Sequence, residues 1–202
     1  VVSSGFNGFQ IASFFGRLNY SYQDKYLLTL VGRTDGSSVF AEGNKYEFYP
    51  SVAAAWKISE EGFMQGQNAI EGLKLRASYA ATGNSTDPGV INNSYNLGVL
   101  PGSVTNPTVL TDPNLKNENT TALEFGVDLR LFDSRLNFDI DVYDYSTKNQ
   151  ILTSPISQAS GVSFRRFNAG EINSKGIEVI LAAKPIVSEN FTWKSIVSEQ
   201  SQ

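Results

Sequence analysis

The segment RLNFDIDVYDYS (135–146) alternates apolar and polar residues at successive positions. Every second residue from Leu136 to Val142 is apolar, and the carboxylates of Asp139 and Asp141 stand between them. Successive side chains of a β-strand point to opposite faces. The segment therefore predicts a strand with one wholly apolar face and one face that carries two acids.

A second alternating segment, TALEFGVDLRLF (121–132), precedes the first, and the short turn Asp133-Ser134 joins them. We predict a hairpin in which these two segments pair. The apolar face would pair Leu131 with Leu136, Leu129 with Phe138, Val127 with Ile140 and Phe125 with Val142. The polar face would pair Arg130 with Asn137, Asp128 with Asp139, Gly126 with Asp141 and Glu124 with Tyr143. A shift by one residue would mix the two faces, because the side-chain period of a strand is two.

The chain as a whole contains eight strand-like segments, which predicts an all-β fold of antiparallel, up-and-down hairpins. They cover 13–22, 26–34, 48–58, 73–83, 121–132, 135–146, 175–184 and 190–197. Residues 59–72 form a connection with room for one short helix.

The connections between these strands differ greatly in length. The longest, 83–119, contains four of the seven prolines and is predicted to lack secondary structure. Compact soluble domains seldom contain such a loop, whereas outer-membrane barrels have short turns at one end and long loops at the other. Strands of about ten residues also cross a bilayer at a tilt. The pattern favours a segment of a transmembrane β-barrel.

A soluble β-sandwich shows the same alternation, since it turns its apolar faces toward a partner sheet. Aromatic residues cluster near the predicted short turns: Tyr20, Tyr22, Tyr26, Trp56, Phe132, Phe191 and Trp193. Aromatic residues at one level are typical of the girdle of a membrane barrel, although they also favour strands in general. From pattern alone, the barrel and a sandwich such as a carbohydrate-binding module both stay open.

The composition removes several classes of site. The chain has no Cys and no His, so Ser-His-Asp triads, Cys-His pairs and the usual zinc sites are excluded. The net charge is −4 without a basic cluster, which argues against nucleic acid as a partner. Segments 35–45 and 84–94 lack the ligand spacing of an EF-hand loop, although they contain Asp, Asn and Gly. We predict neither a metal nor a cofactor.

The two ends of the chain predict that it is an internal segment of a longer protein. Its start, VVSSGFNGFQ, lacks the charged and apolar regions of a signal peptide. No run approaches the roughly 18 consecutive apolar residues of a membrane helix. The end lies within a predicted strand, so we expect further strands beyond it.

Five segments resemble one family in matching order. They are SFFGRLNYSYQDKYLLTLVGRTDGSS, FYPSVAAAWKISEEGFM, LKLRASYAATGN, DPNLKNENTTALEFGVDLRLFDSRLNFDIDVYDYSTKNQIL and NAGEINSKGIEVIL. Together they are similar to the C-terminal barrel region of SusC/RagA-type TonB-dependent outer-membrane transporters. The resemblance extends over roughly residues 13 to 196.

The resemblance implies a fold and a function that periodicity does not give. It implies that the whole chain, 1–202, is part of one barrel domain of 22 strands, with the plug and signal sequence outside this segment. It implies an outer-membrane location and import of glycans or peptides with energy relayed by TonB, through regions absent here. It further implies a SusD-like surface lipoprotein as partner and membrane lipid around the barrel.

Two sets of residues are candidates for function. Ten charged residues on the polar side of their strands are predicted to face the lumen: Arg17, Arg33, Lys74, Arg76, Glu124, Asp128, Arg130, Asp139, Asp141 and Glu178. The segment SGVSFRRFNAGEIN supplies four predicted loop contacts: Phe164, Arg165, Arg166 and Phe167. The resemblance implies ion pairs between lumen and plug near Arg33.

The facing acids Asp128 and Asp139 also fit the carboxylate pair of a glycosidase in principle, since such pairs lie about 5 to 9.5 Å apart. Acids on the water-facing wall of a barrel are nevertheless ordinary. A neighbouring cation such as Arg130 is expected to relieve their repulsion. We therefore predict no catalytic residue and no enzymatic activity.

Overall fold

A computed structural model describes residues 8–98, 100 and 102–201. The strands are β1 (Ile11–Tyr22), β2 (Tyr26–Ser37), β3 (Tyr46–Lys57), β4 (Ile70–Asn84), β5 (Asn96–Leu97), β6 (Val104–Thr105), β7 (Val109–Thr111), β8 (Glu118–Leu131), β9 (Leu136–Lys148), β10 (Ile151–Pro155), β11 (Phe164–Asn168), β12 (Glu171–Val187) and β13 (Thr192–Ser201). Eight of them form one antiparallel sheet in the order β1-β2-β3-β4-β8-β9-β12-β13. The predicted all-β, up-and-down arrangement of eight long strands is confirmed.

The register predicted for the β8–β9 hairpin is also confirmed. The structure pairs Leu131 with Leu136, Val127 with Ile140 and Asp128 with Asp139. The turn between them uses left-handed backbone at Phe132, Asp133 and Ser134. The apolar side chains of this hairpin therefore share one face.

The strand boundaries differ from the predicted ones, mainly at the end of the sheet that carries the long loops. There β9 continues to Lys148 and β12 begins at Glu171, whereas we expected 146 and 175. β13 covers Thr192–Ser201 in place of 190–197. Backbone pairing continues past the apolar residues on which the prediction depended, because it needs only main-chain donors and acceptors.

The β3–β4 connection (58–69) contains no α-helix. It forms two single 3-10 turns, Ile58–Glu60 and Gly62–Met64. Among the described residues, no helix has the length and apolar character needed to span a bilayer.

The three long connections pack together into a loop layer (38–45, 85–117 and 149–170), so the prediction of a structureless 83–119 is wrong. β5 pairs with β6, while β10, β11 and β7 form a second small sheet. The buried side chains of Val39, Phe40 and Leu115 form a small core in this layer. The Asn168 side chain joins two connections, because it accepts from the Lys116 N–H and donates to the Lys116 carbonyl.

Seven of the eight long strands have an apolar and a polar face, and paired residues place these faces in register. On β13 the faces are mixed, since Glu199 and Ser201 pair with the apolar residues Val179 and Ile177. The apolar face carries Tyr22, Tyr26, Leu28, Leu30, Val52, Trp56, Leu75, Val127, Ile140 and Val179. From Tyr46 to Trp56 this face of β3 runs about 33 Å, at about 3.3 Å per residue. At a tilt of about 40° that length spans about 25 Å, the height of the apolar band of a membrane barrel.

A row of residues paired from strand to strand across the sheet does not stay at a constant distance from the strand ends. The row through Tyr26, the first residue of β2, continues through Trp56, Leu75, Val127, Ile140 and Val179. On β8, Leu129 and Leu131 follow Val127 before the turn is reached. The short turns of different strands therefore lie at different distances from one row of paired residues. Such a stagger is expected where strands tilt in a barrel wall.

Candidate functional site

All ten predicted lumen residues lie on the polar face of the eight-stranded sheet. The register places Arg76 beside Ala55 and Gly126, Gly126 beside Asp141, and Asp141 beside Glu178. Lys74, Asp128 and Asp139 form the adjacent row. Arg17 and Arg33 lie on the same face at the β1–β2 side. The candidate site is this charged face.

Five charged side chains of β4, β8 and β9 form one cluster centred on Arg76. The Arg76 Nη2 donates to Asp139 Oδ1 at 2.6 Å and to Asp141 Oδ2 at 2.9 Å. The Arg76 Nε lies 2.9 Å from Asp128 Oδ1, and Lys74 Nζ lies 2.5 Å from Asp128 Oδ2. One guanidinium thus contacts three carboxylates, and one of those carboxylates also contacts a lysine.

The expectation that Arg130 relieves the repulsion between Asp128 and Asp139 is wrong. Arg130 makes no ion pair with any described residue, and the cations that contact these acids come from β4. The site also requires Gly126, since a Cβ there would meet the Asp141 carboxylate and lie 2.9 Å from Arg76 Cζ. The missing side chain lets the guanidinium reach across β8 to Asp141 on β9.

Glu124 lies one row toward the loop layer and is held by hydroxyl groups. The Tyr145 hydroxyl donates to Glu124 Oε1 at 2.5 Å, and the Ser78 hydroxyl donates to Glu124 Oε2 at 3.3 Å. The rings of Tyr143 and Tyr145 stack with centroids 4.8 Å apart. Glu178 pairs in register with Asp141 and has no cation partner among the described residues, so the β12 side of the cluster is net negative.

The two arginines of β1 and β2 have local partners. The Arg17 Nε donates to Asn19 Oδ1 at 3.0 Å. The Arg33 Nε donates to both carboxylate oxygens of Asp35 at 2.8 Å. Both arginines lie outside the Arg76 cluster and are exposed.

The four predicted loop contacts lie on β11, in the small sheet of the loop layer, and not in an irregular loop. Arg165 Nη2 lies 3.5 Å from Asp112 Oδ2, and its guanidinium lies 5.6 Å from the centroid of the Phe167 ring. The Arg166 Nε donates to Thr153 Oγ1 at 3.1 Å. Phe164 pairs with Val109 of β7. The sheet therefore fixes the positions of side chains that we expected on a free loop.

The sequence analysis missed Glu61, which lies in the β3–β4 connection at the short-turn end. Its Oε1 accepts from Tyr26 Oη at 2.6 Å and from Trp56 Nε1 at 3.0 Å. Its Oε2 accepts from Lys25 Nζ at 3.2 Å. The Tyr26 and Trp56 rings stack with centroids 6.1 Å apart. A Glu in a turn beside aromatic strand ends was the only local signal, and its partners come from two separate segments, the β1–β2 turn with the start of β2 and the end of β3.

The contacts of Glu61 predict a pH dependence. Contacts with three residues hold the pKa of Glu61 below its ordinary value of 4.5. The hydrogen bond from Tyr26 has the largest effect, followed by the hydrogen bond from Trp56 and the contacts with Lys25. Since the folded-state pKa is the lower one, the stabilisation is complete above pH 4.5 and is lost as the pH falls through the folded-state value. We expect faster hydrogen exchange of residues 58–65 in that acidic range, after correction for intrinsic rates.

The variant Glu61→Gln should remove this pH dependence and leave exchange fast at every pH. Glu60→Gln is the matched control, because Glu60 is adjacent and exposed and has no described hydrogen-bond or ion-pair partner. An unchanged exchange profile in Glu61→Gln would contradict the prediction.

The cluster acids are arranged around cations of the chain itself. Within the described part of the chain, no group of three or more acidic residues is placed to hold a metal ion. The arrangement can bind polar or charged groups that approach the polar face, by exchange with the existing ion pairs.

Comparison with known proteins assigns the sheet to a family. Residues 2–200 match the family model described as TonB dependent receptor-like, beta-barrel. TonB-dependent receptor P26 of Formosa agariphila is 45% identical over 207 residues, covering 96% of this chain and 20% of the relative. TonB-dependent receptor SusC of Bacteroides thetaiotaomicron is 35% identical over 197 residues, covering 91% and 19%. The chain thus spans about a fifth of the length of these curated relatives.

Solved structures share the fold at lower identity. The RagAB peptide transporter superimposes with a TM-score of 0.82 at 24% identity, over 95% of this chain and 21% of that one. The siderophore receptor PirA from Pseudomonas aeruginosa gives a TM-score of 0.64 at 18% identity, over 96% and 35%. These likenesses establish the barrel-wall geometry of the eight strands.

Proposed function

This chain belongs to the TonB-dependent receptor-like β-barrel family of the outer membrane, and on that premise we propose that it forms part of the wall of an importer of glycan oligomers or peptides. The importer takes its energy from TonB through regions absent here and works with a SusD-like lipoprotein. Residues 1–202 then belong to one barrel domain, although both ends of that range lie outside the described residues.

The observation that carries the proposal is the two-sided sheet capped by a packed loop layer. On β3 its apolar face spans the height of the apolar band of a membrane barrel, and its opposite face carries the Arg76 cluster. Among the relatives, SusC gives its name to the transporter type proposed here. RagAB is a peptide transporter with the same strand geometry, which supports peptides as one of the two cargo classes.

In this function the ten residues on the polar face line the lumen. The Arg76 cluster presents a fixed, hydrated set of charges, and Glu178 and Glu124 add negative charge next to it. We propose that this wall contacts the plug or the passing cargo. A role as lumen wall also accounts for the paired acids without catalysis, since Arg76 contacts Asp128, Asp139 and Asp141.

The loop layer is the proposed contact surface for the lipoprotein. Arg165 and Phe167 share one face of the small sheet with Leu110 and Leu152. Leu110 and Leu152 are 40% and 43% exposed. Exposed apolar side chains beside a cation are common in protein interfaces. The small sheet holds them in place, so little conformational entropy is lost on binding.

Uptake by cells tests the function. A strain that lacks the full-length protein is complemented with the gene, and uptake of a panel of fluorescent glycan oligomers and oligopeptides is measured. We expect complementation to restore uptake of a member of the panel, deletion of TonB to abolish it, and a SusD-like lipoprotein to co-purify. Uptake that is independent of TonB, or purification without any lipoprotein, contradicts the proposal.

A further inference from the structure

The β3–β4 connection carries one large apolar side chain that is mostly exposed. Phe63 is 72% exposed and lies in the 3-10 turn Gly62–Met64, within the mostly polar sequence SEEGFMQGQN. A single exposed aromatic residue is ordinary on a soluble surface. Whether Phe63 marks an interaction surface depends on the residues that surround it.

Glu61 fixes where this connection lies relative to the sheet. Its Oε1 accepts from Tyr26 Oη and Trp56 Nε1, and these two residues are paired neighbours on the apolar face. The hydrogen bonds therefore hold the Glu61 carboxylate on the apolar side of the rim. Its side chain is only 15% exposed, and its charge is compensated by Lys25.

Phe63 cannot lie far from this point. Two residues span at most about 7 Å, so the Cα of Phe63 lies within about 7 Å of the Cα of Glu61. The Met64 N–H donates to the Glu61 carbonyl at 3.0 Å, which closes the turn between them. Phe63 is thus two residues from the carboxylate that Tyr26 and Trp56 hold. The rings of Tyr26 and Trp56 stack, and the Tyr22 ring is tilted against that of Tyr26.

In outer-membrane barrels the short turns lie at the periplasmic end. We propose that Phe63 inserts into the periplasmic leaflet of the outer membrane and that the β3–β4 connection is an interfacial anchor of the barrel. The bilayer surrounds the apolar face up to the Tyr26–Trp56 row, and aromatic side chains are favoured at that depth. Glu61 can lie there because its carboxylate accepts three hydrogen bonds, so its desolvation is compensated. The inference rests on the outer-membrane location and not on the cargo.

The test places a fluorescent label at residue 63 of the full-length protein in lipid vesicles. This part of the chain has no cysteine, so Phe63→Cys introduces a single labelling position in it. We expect a blue-shifted emission, protection from aqueous iodide and strong quenching by lipids with a nitroxide near the headgroup. Asn68→Cys is the matched control, since Asn68 is exposed in the same connection and is expected to stay accessible to iodide.

Two outcomes overturn the proposal. A label at position 63 that iodide quenches as readily as the label at 68 means that the side chain points into water. Protection from iodide without quenching by lipid nitroxides means that protein, such as the plug or a periplasmic partner, covers it. Neither outcome bears on transport, which the uptake measurements test separately.

A photoreactive probe serves as a second test, because an apolar fluorescent label could enter the lipid by itself. Replacing Phe63 with p-benzoyl-phenylalanine keeps an aromatic ring at the position, and irradiation of the intact membrane should yield lipid adducts detectable by mass spectrometry. Adducts with protein alone would overturn the anchor. The variant Phe63→Ser should fold into the membrane as the wild type does, yet its residues 58–65 should exchange hydrogen faster than those of the wild type at neutral pH.

Discussion

The variant Leu30→Lys is expected to lose most of the folded barrel from the membrane. Leu30 lies on the apolar face of β2, paired with Leu18 and Val52 near the middle of the apolar band. A lysine on the lipid face near the bilayer midplane costs about 2–4 kcal/mol. Heat-modifiability of the full-length protein on gels measures the outcome as a smaller folded fraction.

The matched control is Thr29→Lys, one residue away on the polar face. Thr29 pairs with Asn19 and Ala53, so a lysine there meets the hydrated side of the wall and should cost less than about 1 kcal/mol. If both variants fold equally well, or if Thr29→Lys is the worse of the two, the assignment of the faces is wrong.

The second large effect is expected for Arg76→Ala, which should leave Asp128, Asp139 and Asp141 with only Lys74 as a cation. Removing one partner of a fully buried ion pair costs about 3–5 kcal/mol. The Arg76 side chain is 37% exposed, so screening lowers the expected loss to about 1–2 kcal/mol. The temperature at which the folded band of the full-length protein disappears should fall, and more at low salt.

Arg130→Ala is the control for this prediction. It removes the same charge from the same face of a neighbouring strand, but Arg130 makes no described ion pair, so its loss should change stability by less than about 0.5 kcal/mol. Equal effects of the two variants would show that the total charge of the polar face, and not the contacts of Arg76, governs stability.

The sequence predicted the register of the β8–β9 hairpin to the residue, and the reason is local. A strand has a side-chain period of two, and the short turn leaves little freedom in register, so the apolar pattern of Phe125 to Val142 selects one pairing. The same logic identified all eight long strands. It failed at their outer ends, where polar residues such as Lys148 and Glu171 pair without any apolar pattern.

The contacts of the polar face were not predictable in the same way. The sequence placed Arg76, Asp128, Asp139 and Asp141 on one face but named Arg130 as the cation beside the acids. Which cation reaches them depends on the pairing of β4 with β8 across the connection 85–117, and on the absence of a side chain at Gly126. Neither follows from periodicity within a strand.

The loop layer and Glu61 depend on contacts between segments that are distant in the chain. Phe40 and Leu115 form a core only because two long connections meet over the same end of the sheet. Glu61 receives donors from the first turn and from the end of β3. Their sequences carry turn and loop signals, which indicate where strands stop but not what the connections touch.

By itself, the sequence determined which side chains of a strand share its apolar face and which share its polar face, because alternation acts residue by residue along each strand. The tertiary structure decided the stagger between strands, the ion pairs of Arg76 and the hydrogen bonds that join Glu61 to Tyr26 and Trp56. Those features depend on how far each strand is shifted against its neighbour. That shift is set by backbone pairing across the whole sheet, which no single segment encodes.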